Sequence, residues 1–222
     1  MIVILFGAPG AGKGTQARYL GSRYGLERLA TGDLLRAETA AGTKLGKAAS
    51  RYISEGRLVP DDLVTAMVTS RMENRVSGNF LLDGFPRNLD QAEALSRFLG
   101  GAGAFVDLAV FLNIPASAAH ARLSSRRICS HCGAVFNAAT CPPKVEGVCD
   151  ECGGNLISRQ DDGDKTAARR FEVYERDTRP LVAFYKKEGI CREVDATRSP
   201  EKVSEDISRH VDPIFGKEKE KA

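Results

Sequence analysis

Short apolar runs alternate with stretches of helical periodicity along most of the chain. Ile2–Phe6, Arg28–Ala30, Phe80–Leu82, Asp107–Leu112 and Cys191–Val194 read as strands, since each is brief and rich in aliphatic or aromatic residues. A 3.6-residue period fits Lys13–Tyr24, Thr65–Arg75, Gln91–Leu99, Ala116–Ser125, Thr166–Lys187 and Glu201–Val211. The last of these has Ser199 as its N-cap and Pro200 at the first helical position. Strands alternating with helices predict an α/β fold, a parallel sheet wrapped by helices. There is no internal repeat.

Two stretches break the alternation. Residues 31 to about 60 read as short helices, with Gly42, Gly46 and Gly56 as breaks, and residues 127 to about 160 are rich in Cys, Gly and Pro. Both are expected as inserts at the carboxyl ends of strands, where such sheets bind ligands. With 222 residues and 42% hydrophobic content, the chain has enough apolar surface for one sizeable core carrying small inserts. A net charge of +3, from Lys+Arg 32 against Asp+Glu 29, argues against a nucleic-acid footprint but allows a local cationic pocket. The apolar runs are strand length and the N-terminus enters a strand directly, so no membrane partner and a cytoplasmic location are expected. Residues 216–222 lack apolar positions apart from the final alanine and are expected to fray.

The chemistry begins at Gly7-Ala8-Pro9-Gly10-Ala11-Gly12-Lys13-Gly14-Thr15, between the first strand and first helix. Glycines let backbone N–H groups turn inward around a polyphosphate, the helix N-terminus adds its positive end, and Lys13 brings a full charge to the β/γ oxygens. The spacing matches G-x-x-x-x-G-K-[ST] through Lys13, but Gly14 stands where the hydroxyl is expected. Thr15 is then the metal-side hydroxyl. A second element, Phe80-Leu81-Leu82-Asp83-Gly84-Phe85-Pro86-Arg87, is a buried strand delivering a carboxylate and a guanidinium to the same edge. Asp83 is placed to hold metal-bound water. Lys13, Arg36, Arg87, Arg126, Arg159 and Arg170 could together surround a transferring phosphoryl group with positive charge.

Cys129-Ser130-His131-Cys132 and Cys149-Asp150-Glu151-Cys152 form two C-x-x-C knuckles. Each presents two thiolates at one turn, and the two turns make a tetrahedral Cys₄ shell for zinc, with no position left for water. A structural ion is therefore expected, held by Cys129, Cys132, Cys149 and Cys152. A redox dithiol is disfavoured because neither knuckle follows a core strand. Disulfides are disfavoured by the expected reducing compartment. Cys141 or His131 could replace one cysteine, although pairwise spacing makes the four the simpler set. Cys191 reads as a buried small residue. His120 and His210 are assigned no chemistry.

These motifs resemble adenylate kinase across essentially the whole length. The resemblance rests on Gly7 to Gln16, Thr31-Gly32-Asp33-Leu34-Leu35-Arg36, Asp83 to Arg87 with Gln91, Arg126-Arg127, Pro142 to Gly147, and Arg159 with Asp161-Asp162 and Arg170. It implies a P-loop nucleoside triphosphate hydrolase-like parallel sheet and Mg²⁺-dependent transfer from ATP to AMP, giving two ADP. It also implies a core at 1–29, 60–124 and 163–222, an AMP-binding insert at 30–59, and a zinc-binding lid at 125–162. By position, Gly10, Ala11, Gly12, Lys13, Gly14 and Thr15 would hold ATP phosphates, with Arg122, Arg126, Val135, Phe136 and Arg198 also near ATP. Thr31, Arg36, Arg57, Leu58, Val59, Gly84, Phe85, Pro86, Arg87 and Gln91 would surround AMP. Arg126, Arg159 and Arg170 would bridge the two nucleotides. The family's monomeric state is expected as well. Asn137-Ala138-Ala139-Thr140-Cys141 departs from the family, which usually has an aromatic and Asn there.

The nearest rival is a UMP/CMP kinase, which shares the loop and the Asp-Gly-Phe-Pro-Arg element. Gln91 argues against it, because its amide offers a donor and an acceptor together, suited to the adenine edge. Thr31 points the same way. A nucleotide-gated binding protein, either a GTPase-like switch or a zinc ribbon on nucleic acid, is the rival from another class. The chain lacks an Asn-Lys-x-Asp guanine reader, and the ribbon carries Glu146, Asp150 and Glu151 beside few basic residues, the wrong sign for a phosphate backbone.

Overall fold

The computed structural model describes residues 1–73, 75 and 78–219. Strand β1 (Ile2–Gly7) is buried at every position and lies in the middle of a five-stranded parallel sheet. Its partners are β3 (Phe80–Asp83) on one side and β4 (Leu108–Asn113) on the other, with β2 (Glu27–Ala30) beyond β3 and β8 (Cys191–Asp195) beyond β4. Register pairs Leu5 with Asp83 and Ala30 with Asp83, so the ends of β1, β2 and β3 reach one level. Helices cover the sheet because strands buried on both faces need apolar partners on each side. Leu20 of α1 (Lys13–Tyr24), Leu95 of α5 (Leu89–Gly101) and Leu181 of α8 (Leu181–Lys187) are fully buried in the same core as Ile4 and Leu82.

The first stretch that broke the alternation contains α2 (Thr31–Ala40) and α3 (Lys44–Ser54), and leads into α4 (Asp61–Met72). Gly46 does not break a helix here. It lies in the first turn of α3, where a Cβ would collide with the Glu38 carbonyl of α2, so its missing side chain lets the two helices close together. After α6 (Ala116–Ser124) comes a small antiparallel sheet in the order β6 (Val135–Asn137), β5 (Arg126–Cys129), β7 (Leu156–Ile157).

The expected helix Thr166–Lys187 is divided. It forms α7 (Asp164–Val173), a π-helical turn at Tyr174–Thr178, and then α8. Pro180 precedes α8 and has no N–H to continue a ladder, which accounts for a new start there. Conversely, α9 (Pro200–Lys219) runs past Val211 and through Pro213. Packing carries it: Val203, Ile207 and Val211 are buried, and Phe215 meets Tyr24 edge-on at 5.2 Å. The expected frayed tail is thus helical to Lys219, and residues 220–222 lie outside the described set, as does position 74 of the expected helix Thr65–Arg75.

Candidate active site

A cleft of about 690 Å³ opens at the carboxyl edge of the parallel sheet. Its floor is the loop from β1 to α1. At Gly10 the backbone has φ +85 and a Cβ would strike the Ala119 carbonyl, so the turn admits only glycine. Gly10, Ala11, Gly12, Lys13, Gly14 and Thr15 all line the cleft. Lys13 Nζ donates to the Gly7 and Ala8 carbonyls at 2.8 and 2.9 Å. Burial lowers its pKa to about 7, with Arg87, Arg170 and Arg126 adding to the fall and Asp83 opposing it.

One wall comes from α2, the α3–α4 connection and the end of β3. Thr31, Arg36, Arg57, Leu58, Val59, Gly84, Arg87 and Gln91 reach the cleft; Phe85 and Pro86 are buried and do not line it. The Thr31 hydroxyl donates to Gly84 O at 2.8 Å, fastening α2 to the end of β3. Arg87 Nε donates to Gly84 O at 2.9 Å, and Thr178 Oγ1 donates to Arg87 O at 2.7 Å. Burial, reinforced by Arg170, pushes the Arg87 guanidinium down to about 10.

The opposite wall comes from the β5–β7 module and the elements beside it. Arg122, Arg126, Val135, Phe136, Arg159, Arg170 and Arg198 line it. Arg126 donates to Asp162, with Nε to Oδ2 at 2.7 Å; Arg159 pairs with Asp161 at 3.0 Å; and Arg170 bonds Asp161 and Asp162 at 3.2 and 2.9 Å. Burial raises the Asp161 carboxyl, but Arg159 and Arg170 outweigh it and hold the group below its ordinary range. Arg122 is turned aside, donating to Ala196 O at 2.7 Å, and Arg198 pairs with Asp206.

Charge is therefore distributed unevenly. Arg36 pairs with Asp33, and Arg126, Arg159 and Arg170 share Asp161 and Asp162. Among the described residues Lys13 and Arg87 have no carboxylate within ion-pair distance. Their hydrogen bonds go to carbonyl oxygens, as do those of Arg122 on the opposite wall.

Residues 5–190 match the family model for adenylate kinase. The chain belongs to the adenylate kinase family. It is 47% identical to "Adenylate kinase" of Thermodesulfovibrio yellowstonii over 93% of this chain and 97% of that protein. Likeness extends to "Adenylate kinase" of Clostridium botulinum, 43% identical over 99% of this chain and 100% of that one, and of Archaeoglobus fulgidus, 41% over 96% and 99%. An adenylate kinase cleft has to accommodate two nucleotides, and here the Gly10–Thr15 loop and Gln91 line one space.

The cysteines of the small antiparallel module form a separate centre. The ligand atoms of Cys129, Cys132, Cys149 and Cys152 all lie within 4.8 Å of one another. Cys129 Sγ is 3.4 Å from Cys152 Sγ, and Cys132 Sγ is 3.6 Å from Cys149 Sγ. A tetrahedron with zinc–sulfur bonds of about 2.3 Å has edges of about 3.8 Å, so the four thiols fit a structural zinc ion. His131 and Cys141 are outside the cluster; Cys141 is exposed and forms a bridge with Asn137.

Arg28 was missed by the sequence reading as a residue of the site. Its NH2 group lies 2.6 Å from Asp83 Oδ2 and 2.9 Å from Asp33, tying β2 to β3 and α2 at the cleft floor. The available signal was a cation interrupting an otherwise buried strand end, directly before Thr31-Gly32-Asp33. Asp83, itself 8% exposed, and Thr15 are oxygen ligands of the kind Mg²⁺ accepts, and both line the cleft.

Proposed function

We infer that the protein transfers the terminal phosphoryl group of ATP to AMP, giving two ADP and maintaining adenine nucleotide balance. Support comes chiefly from the meeting of Lys13 and Arg87, both without a carboxylate partner, where the phosphate loop adjoins the Gln91 pocket. In this reading an AMP phosphate oxygen attacks the γ-phosphorus while the bond to the β-phosphate oxygen breaks. Lys13 and Arg87 hold the charge on the two sides of that phosphorus. The backbone from Gly10 to Thr15 cradles the donor. Thr15, through its hydroxyl, and Asp83, through metal-bound water, would hold the Mg²⁺ that accompanies ATP, and the ion would supply charge neutralisation for the transferred phosphoryl group.

Arg126, Arg159 and Arg170 would turn from Asp161 and Asp162 to the nucleotides. The two carboxylates thus keep the guanidiniums together until phosphates take their place. We assign the AMP site to residues 30–59 with Gly84 to Arg87 and Gln91, the lid to 125–162, and the core to 1–29, 60–124 and 163–222. Water must be shut out or ATP is hydrolysed, and closure of the lid is the step that does so. The reading carries with it a cytoplasmic monomer without nucleic-acid or membrane partners. No described helix is long and apolar enough to cross a membrane.

An assay for ADP with ATP alone, and with AMP, UMP or CMP added, tests this directly. Product is expected with AMP and near background without an acceptor. Preference for UMP or CMP would overturn the assignment of AMP as acceptor.

A further inference from the structure

Gln91 is held at both ends of its amide. It lies in the first turn of α5, whose N-cap Asn88 accepts Gln91 N–H at 2.9 Å, and its own Oε1 accepts Arg87 N–H at 2.8 Å. The first is the N-cap bond of α5 and the second fastens the residue before the cap, and neither needs anything more. Yet a third group is present. Asp61, the first residue of α4, accepts Gln91 Nε2 at 2.6 Å and both contacts of Asn88 Nδ2 at 2.9 and 3.0 Å. Asp61 does not itself line the cleft, whereas Gln91 does and is 2% exposed.

A primary amide is nearly symmetric in shape, so only its partners decide which end carries oxygen. Here the Arg87 N–H demands an acceptor and the Asp61 carboxylate demands a donor. One Nε2 hydrogen and one Oε1 lone pair are left over. We propose that Asp61 is a positioning residue that fixes the hydrogen-bonding polarity of Gln91, and so selects a 6-amino over a 6-oxo purine in the acceptor nucleotide. This rests on the reading of Gln91 as the residue that meets the acceptor base. A 6-aminopurine offers N1 as acceptor and N6 as donor, while a 6-oxopurine reverses both. Rotating the amide by half a turn would therefore exchange the preference. The charge-assisted bond to Asp61 is the stronger of the two that oppose rotation.

Acceptor kinetics with AMP and IMP, under saturating ATP, provide the test. Asp61→Ala is expected to lower the AMP-over-IMP ratio of kcat/KM by about 10-fold, the scale for loss of one such orienting bond. The change should come through KM for AMP, with KM for ATP held within about twofold. In a Gln91→Ala background, Asp61→Ala should lower the ratio no further, which a merely structural carboxylate would not explain. If Asp61→Ala does not fold, Asp61→Leu carries the same readout, since its side chain has a similar size and offers Gln91 no acceptor. A ratio unchanged in the Asp61 variants but lowered in Gln91→Ala overturns the proposal alone. A ratio unchanged in both overturns the base-reading role of Gln91 and the proposal with it.

Discussion

The parallel sheet and the cysteine module hold their shapes by different means. In β1, β3 and β4 nearly every position is buried, and the core they share reaches from Met1 to Val211. In the module, by contrast, the apolar cluster is Cys129, Ala134, Phe136 and Cys149 with Leu156 packed against it, while Val145, Val148 and Ile157 are exposed. Fixing one residue's backbone costs about 1–2 kcal/mol, and a fully buried large apolar side chain returns about 1.5–3 kcal/mol. The sheet satisfies that comparison by burial alone. The module cannot, so its order has to come from four thiolates around an ion. A unit ordered from within can move as one body, as the lid proposed at 125–162 requires.

The largest effect should follow removal of the ion. Structural zinc contributes about 10–16 kcal/mol of apparent binding energy in small zinc-folded peptides. Cys149→Ser with Cys152→Ser, or chelation, should therefore melt residues 127–157 well below the core transition, with lid amides losing exchange protection and core amides keeping theirs. Native protein should contain about one zinc per chain, bound through sulfur. Metal-free protein with an unchanged lid would erase the contrast between the two regions.

Next in size is a cavity in the sheet. Leu82 is fully buried, and Leu82→Ala should cost about 2–5 kcal/mol in a single global denaturant transition. The lid's zinc content should be unaffected. A loss below about 1 kcal/mol would mean that β3 is not the structural centre the burial pattern implies.

Lys13 separates stability from function within the core. Lys13→Met should reduce kcat by at least about 10²-fold, the scale for removing one transition-state charge contact. Its melting temperature should not fall, because the variant no longer buries an ammonium. The pH sign follows from the pKa near 7 in the free protein. Nucleotide phosphates favour the charged form, so binding of ATP at pH 8 should take up close to one proton, and less as pH falls below 7. Calorimetry in buffers of different ionisation enthalpy measures the uptake, with Lys13→Met as the reference. Equal uptake by both proteins would remove Lys13 from the phosphate site.

The same contrast governs how legible the chain was. The three central strands could be read within a residue or two, because strands buried on both faces write continuous apolar runs. The fold of the module could not be read as strands, since β5 to β7 are short and half-exposed and carry no such signal. The continuous helix expected over Thr166–Lys187 shows the limit of periodicity, which persists across the π turn even though the hydrogen-bond ladder changes there. At the cleft, residues within contiguous motifs were legible one by one. Arg28 and Asp61 were not, for their significance arises only where β2 meets β3 and where α4 meets the start of α5.

The smallest expected effect lies at an ion pair between the second knuckle and the first helix. Arg18 of α1 and Glu151, between Cys149 and Cys152, approach to 3.5 Å, with side chains 37% and 61% exposed. Solvent screens such a pair, so it contributes about 0.2–1 kcal/mol at most. Arg18→Ala should accordingly speed exchange of lid amides only slightly at low salt, and the difference should vanish at about 1 M salt, where the Debye length is about 3 Å. Zinc content and core stability should stay as they were. A large effect that survives high salt would show the lid held down by its contact with α1, and the thiolate centre would then account for the module's internal order but not for its closed position.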